Sequence, residues 1–151
     1  MIRWFRSYIF LIATLVFIAD RISKYVVMNS LAINDSIKAI PGIFHITLIM
    51  NSGAAFGVLK NCAAFFIIFS FLAIALIILF VAKSPGMNIA LATSLAFILG
   101  GAAGNLVDRL KFSGCVVDFL DFRIWPVFNI ADSAISIGIA LLAVTLILKR
   151  S

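Results

Sequence analysis

The sequence predicts an all-α membrane protein: one integral domain, 1–151, with four transmembrane helices and a small extracytoplasmic β-sheet at the membrane surface. Three observations carry this reading. Of the 151 residues, 64% are apolar and 12% are charged, and Phe alone occurs 15 times. Soluble domains are roughly half apolar and about a quarter charged. The mean hydropathy of +1.22 excludes disorder, a nucleic-acid-binding domain and a small soluble enzyme. Second, the apolar residues gather in four runs, each near the ~20 residues that a spanning helix needs. Third, one further apolar, β-branched segment is too short to span.

The first run, 8–28, carries Asp20, Arg21 and Lys24 in its second half. Arg3 and Arg6 before it could mimic the basic region of a secretory signal. The run is too long for one, however, and no small-residue cleavage site closes it. The second, 62–82, contains no charge, and the third, 86–108, ends at Asn105 and Asp108. The fourth, 127–148, is interrupted only near its start by Asn129 and Asp132. Four helices leave both termini on one side, and the segments 29–61 and 110–126 on the other. In the first of these, Pro41-Gly42 marks a turn, Ile43 to Met50 suits a strand, and Asn51-Ser52-Gly53-Ala54-Ala55-Phe56-Gly57 supplies small residues. All six acids are Asp, and all fall toward this far side.

The net charge of +6 comes from cations scattered at the ends of the apolar runs, as membrane-flanking residues are, and not along a helical stripe that would suit nucleic acid. Lys and Arg, not net charge, set orientation. Arg3, Arg6, Lys83, Lys149 and Arg150 stand on the near side, and Lys38, Lys60, Lys111 and Arg123 on the far side. The near-side segments are much shorter, so their cation density makes that side cytoplasmic.

A charge within a span costs about 2.5–3.5 kcal/mol and is functional by default. Asp20 and Lys24 are four apart and share a helical face, as do Asn105 and Arg109 beside Asp108. The plainer alternatives are neutralisation near the interface and a snorkelling lysine. Gly100-Gly101-Ala102-Ala103-Gly104 allows close helix approach. The sharper constellation is Val117-Asp118-Phe119 with Phe128-Asn129-Ile130-Ala131-Asp132-Ser133. The short connection between them can return both carboxylates to one depth. Random surface placement for Asp118, and helix N-terminal stabilisation for Asp132, are the simpler accounts of each taken singly.

Two carboxylates in contact share a proton, one activating water while the other donates to a carbonyl. The upper pKa of a soluble dyad, near 4.7, would leave both ionised at pH 7. A membrane dyad needs it roughly 2–3 pH units higher, about 3–4 kcal/mol. Burial can supply that, whereas a close Arg109 or Lys24 would oppose it. Both cations are therefore expected to pair elsewhere, with Asp20 and Asp108. His45 is the only histidine and reads as structural. One His and two Cys give no zinc ligand set, no Gly-x-Ser-x-Gly is present, and a Ser–Lys dyad on Lys24 has little support. Cys62 and Cys115 both lie on the far side and read as free thiols. A proton or cation relay through Asp20, Asp108 and Asp132 would require polar residues through the full membrane depth. The cytoplasmic halves of the last three spans are instead almost purely apolar, and a silent scaffold would leave the Asp motifs unused.

At these residues the chain resembles the bacterial lipoprotein signal peptidases, the type II signal peptidases, nearly end to end. The resemblance rests on Asp20-Arg21-x-x-Lys24, Asn51-Ser52-Gly53 and the residues after it, Gly101-x-x-Gly104-Asn105-x-x-Asp108-Arg109, Val117-Asp118-Phe119 and Phe128-Asn129-x-Ala131-Asp132-Ser133. Ser52 stands where Thr is frequent. The resemblance implies an aspartyl endopeptidase of the bacterial cytoplasmic membrane, with its active site near the outer leaflet and both termini cytoplasmic. It would remove the signal peptide of diacylglyceryl prolipoproteins immediately before the lipidated Cys. By match of motif, Asp118 and Asp132 would be the catalytic pair. Asn51, Gly53, Asn105, Asp108, Arg109, Asn129 and Ala131 would line or brace the site, with Asp20 and Lys24 supporting it from the first span. The family uses no metal and no cofactor; its partners would be the prolipoprotein and the bilayer, not nucleic acid, and the chain would act as a monomer. As hypotheses, Phe56 and Trp125 would sit at the bilayer surface and help close the site.

Overall fold

The computed structural model describes residues 2–53 and 63–148. Its elements are α1 (Ile2–Ser30), β1 (Ser36–Ile40), β2 (Phe44–Asn51), α2 (Ala63–Lys83), α3 (Ile89–Lys111), β3 (Val116–Asp121) and α4 (Ile130–Leu148). Among the described residues, α2, α3 and α4 are long and apolar enough to cross a membrane. The 29-residue α1 is long enough, but Asp20, Arg21 and Lys24 break its apolar surface.

α3 is the axis of the fold, packed against α1, α2 and α4. Its small residues make this possible. A Cβ built on Gly100 would lie 2.5 Å from the Ala13 carbonyl oxygen of α1, and one on Gly101 2.5 Å from the Ala131 carbonyl oxygen of α4. Only glycine lets both backbones come so close, so van der Waals packing can hold helices that water does not drive together. The side chains of α2 that face outward, such as Phe65, Ile68, Phe69 and Leu72, are more than half exposed, as lipid-facing positions are.

Both α3 and α4 begin about three residues later than the apolar runs suggest, for the same reason. The Asn88 side chain accepts a hydrogen bond from Leu91 N at 2.8 Å, and Asn129 accepts one from Asp132 N at 2.8 Å. Each amide satisfies a first-turn N–H that would otherwise be orphaned.

The surface sheet is larger than the sequence suggests. The Ile43–Met50 segment forms β2 with a partner on each side, in the antiparallel order β1-β2-β3. The correction concerns β3, since residues 116–121 read as part of a loop and are a strand. His45 pairs with Asp121, Ile46 with Leu120 and Ile49 with Asp118, so β2 carries one extra residue between Ile46 and Ile49. Such a bulge bends a strand and re-aims the side chains beside it. Leu48, Val117 and Phe119 pack with Val27 of α1 in one apolar cluster, which seats the sheet on the helix ends.

Candidate active site

The polar residues proposed for the site from the sequence lie at the sheet-bearing end of the helices, and most are buried together. The support comes first. Lys24 and Asp20 are fully buried on α1 and stand 2.9 Å apart as an ion pair. Lys24 Nζ also lies 2.7 Å from Asp108 Oδ2 and donates to Asn105 Oδ1 at 3.0 Å. Asp108 Oδ1 faces Arg21 at 2.6 Å, while Asp108 Oδ2 accepts from Val117 N at 3.1 Å. Asp20 Oδ1 accepts from Ala131 N at 3.1 Å. Two cations and two carboxylates thus cancel inside the fold, and their spare oxygens hold β3 and α4. A buried ion cluster earns its place only when satisfied in this way.

From that base the amides reach forward. Asn105 receives Lys24 on its carbonyl oxygen and donates through Nδ2 to Asp132 Oδ1 at 2.7 Å. Asn129 donates to Asp118 Oδ1 at 2.7 Å, to Asn105 Oδ1 at 3.1 Å and to the Val117 carbonyl at 3.2 Å. Asn51, at the end of β2, donates to Asp118 Oδ2 at 2.8 Å and accepts from Gly53 N at 3.0 Å. Both oxygens of Asp118 and one of Asp132 are therefore held by amides, and among the described residues no ammonium or guanidinium is bonded to either acid.

Asp118 and Asp132 line one cavity of about 790 Å³, together with Asn51, Gly53 and Arg109. Its remaining wall is mostly apolar, from Phe66, Trp125, Val127 and Ile137 among others. A volume of this size suits a peptide-sized ligand. Burial, and then the neighbouring Asp132 charge, push the Asp118 carboxyl from 3.8 up to about 7, against the pull of the Asn51 and Asn129 hydrogen bonds. A pair carrying one proton near neutral pH is the state in which one acid can take a proton from water while the other gives one.

Lys24 pairs with Asp20 and Asp108 as expected, but Arg109 does not. Among the described residues no carboxylate lies within ion-pair distance of it. Asp108 is taken by Arg21 instead, and the Arg109 guanidinium stands 5.0 Å over the Phe66 ring, a cation–π contact that holds a cation over apolar surface. Two contributors were named in the sequence without a role in the site, and a third, Phe66, was not named. Arg21 sits beside Asp20 in plain view as a third charge in the first apolar run. Gly104 gives room to Asp20, whose Oδ2 would lie 2.5 Å from a Cβ there. Phe66 carries no signal at all. The suggestion for Phe56 and the pairing of Cys62 fall outside the described residues; Cys115 is a free thiol, and Trp125 is exposed on the cavity rim.

Comparison with known proteins gives the family. A family model described as signal peptidase (SPase) II matches residues 12–148. The lipoprotein signal peptidase of Moorella thermoacetica is 46% identical over 138 residues, 91% of this chain and 91% of that protein. That of Halothermothrix orenii is 42% identical over 134 residues, covering 89% and 91%. A solved structure of a bacterial membrane enzyme superposes with a TM-score of 0.88 at 35% identity, over 96% of this chain and 90% of the other. With a family model matched across 12–148 and such relatives over most of its length, the chain belongs to the signal peptidase II family of membrane peptidases.

Proposed function

We propose that this protein is an aspartyl endopeptidase that removes the signal peptide of diacylglyceryl prolipoproteins, cutting immediately before the lipidated Cys. The observation that carries the proposal is the pair Asp118 and Asp132. They line one cavity and are held by Asn51, Asn129 and Asn105, with both nearby lysine and arginine charges satisfied elsewhere or set over a ring.

The dyad holds one proton. Its ionised carboxylate takes a proton from water as the water oxygen bonds to the scissile carbonyl carbon, and the neutral carboxyl gives its proton to the carbonyl oxygen. The tetrahedral diol then collapses: the C–N bond breaks, the proton taken from water passes to the leaving amine, and one diol hydroxyl returns its proton to the carboxylate that had given one, which restores the singly protonated pair. Asn105 and Asn129 fix the two carboxyls, and Arg109 faces the same cavity as a donor for substrate carbonyls. No metal and no cofactor takes part.

α1 is the fourth span, with Asp20 and Lys24 fully buried as a pair and Arg21 bound to Asp108 of α3. Both termini are cytoplasmic, and the sheet and the dyad lie at the outer leaflet, where a lipidated substrate diffuses laterally and water arrives from outside. One chain contains the whole site and acts as a monomer.

The deciding experiment is cleavage of a diacylglyceryl prolipoprotein by purified wild type, Asp118→Asn and Asp132→Asn. Each variant should lose at least ~10³-fold in rate while still folding and binding substrate. Full activity in either variant removes that residue from the dyad.

A further inference from the structure

On the lipid side of the molecule a second trough runs between α1 and α4. It measures about 390 Å³ and is bounded by Leu15 and Ala19 of α1, Phe97 of α3, and Ala134 and Ile137 of α4. The catalytic cavity lies against the other flank of α4. The two share Ser133 and Ile137, so they meet across one ridge of that helix. Ser133 follows Asp132 directly, and Ile137 lies about 6 Å further along the axis.

We infer that the substrate's diacylglyceryl group straddles α4, with one acyl chain on the catalytic-cavity side and the other in the α1–α4 groove. The inference rests on the proposed function and extends it to the lipid. If the bond cut is the one before the lipidated Cys, the glycerol stands within a few bonds of Asp132, beside the ridge where the troughs join. Two chains leaving one glycerol need two paths, and two flank this helix. Apart from Ser133 the groove is hydrocarbon, which suits an acyl chain and neither a headgroup nor a polar peptide. It is also too slight for a signal-peptide helix about 10 Å across.

An acyl chain gains no hydrophobic free energy on moving from lipid to this groove; it gains only packing. The expected effect is therefore modest and falls on KM. Ala19 is exposed in the groove, so Ala19→Phe fills it from a lipid-facing position. Ile18, exposed on α1 and outside the groove, gives the control Ile18→Phe. Cleavage is measured on prolipoprotein carrying two palmitoyl chains and on its monoacyl analogue. Ala19→Phe should raise KM for the diacyl substrate roughly three- to tenfold, leave kcat unchanged, and spare the monoacyl substrate; Ile18→Phe should alter neither. Unchanged KM in Ala19→Phe would mean that only bulk lipid visits the groove, and equal loss on both substrates would mean damage to the site; either result overturns the inference alone. A diazirine at the end of the acyl chains, photolysed in Asp118→Asn protein, should label the α1 peptide containing Leu15 and Val16, which line the groove alone, and labelling that spares this peptide would overturn it without any groove variant. Failure of the wild type to cleave either substrate would instead bring down the proposed function, and this inference with it.

Discussion

A protonated Asp118 is far cheaper to bury than an ionised one, and under the proposed function this sets stability against activity at one residue. Its carboxyl is raised to about 7 in the fold from 3.8. The stability linked to that proton is full below about pH 4 and is lost as pH rises through 7. Above that the wild type carries a burden of about 4 kcal/mol. Asp118→Asn removes it and forfeits about 1 kcal/mol for one of the two amide donors now facing an NH₂. The variant should unfold at a higher temperature than wild type at pH 9, by about 3 kcal/mol in stability, and gain nothing at pH 4; thermal melts in detergent at both values check this. Under the proposed mechanism, wild-type cleavage should fall over the same rise through pH 7, as the pair loses its shared proton. At this scale the acids were legible because six Asp in so apolar a chain stand out singly. The fate of Arg109 was not, because Arg21 and Arg109 could each reach Asp108 and only the packing of α1 on α3 decides between them.

At the scale of elements, closeness is bought by the absence of side chains on α3. Gly104→Ala would set a methyl 2.5 Å from Asp20 Oδ2, and Gly100→Ala one 2.5 Å from the Ala13 carbonyl oxygen. Each should cost about 1–3 kcal/mol. Gly86, in the turn before α3, has nothing within 4 Å of a built Cβ, so Gly86→Ala should leave the melting temperature unchanged or slightly higher. Comparing the three melts separates the cost of helix contact from the general effect of replacing a glycine. The apolar runs exposed the helices because composition suffices for them. β3 stayed hidden because its partner β2 lies more than sixty residues earlier, and no local pattern in Val116-Val117-Asp118-Phe119-Leu120-Asp121 declares a pairing so distant. The site inherits that blindness: Asp118 sits where the strand holds it, opposite Ile49 beside the bulge.

For the whole molecule, the polar residues gather at one end and the helix termini carrying Arg6 and Lys83 at the other. With the proposed orientation, Lys38→Cys on the exposed β1 should react with a membrane-impermeant maleimide on intact cells, in a background with Cys62→Ala and Cys115→Ala. Lys83→Cys should react only after permeabilisation, and the reverse pattern would invert the topology. The charge cluster also bears on how such a chain is made. Helices leave the ribosome in order, so α1 meets the insertion machinery before α3 exists. Asp20 and Lys24 lie four residues apart on that one helix, so they can neutralise each other as it enters the bilayer. Arg21 must wait for Asp108, and α3, the least apolar of the three evident spans, arrives with that carboxylate to find a counter-charge already in the membrane. The ion cluster that braces the proposed dyad in the finished protein thus also gives the first helix a counter-charge with which to hold the third as the chain is inserted.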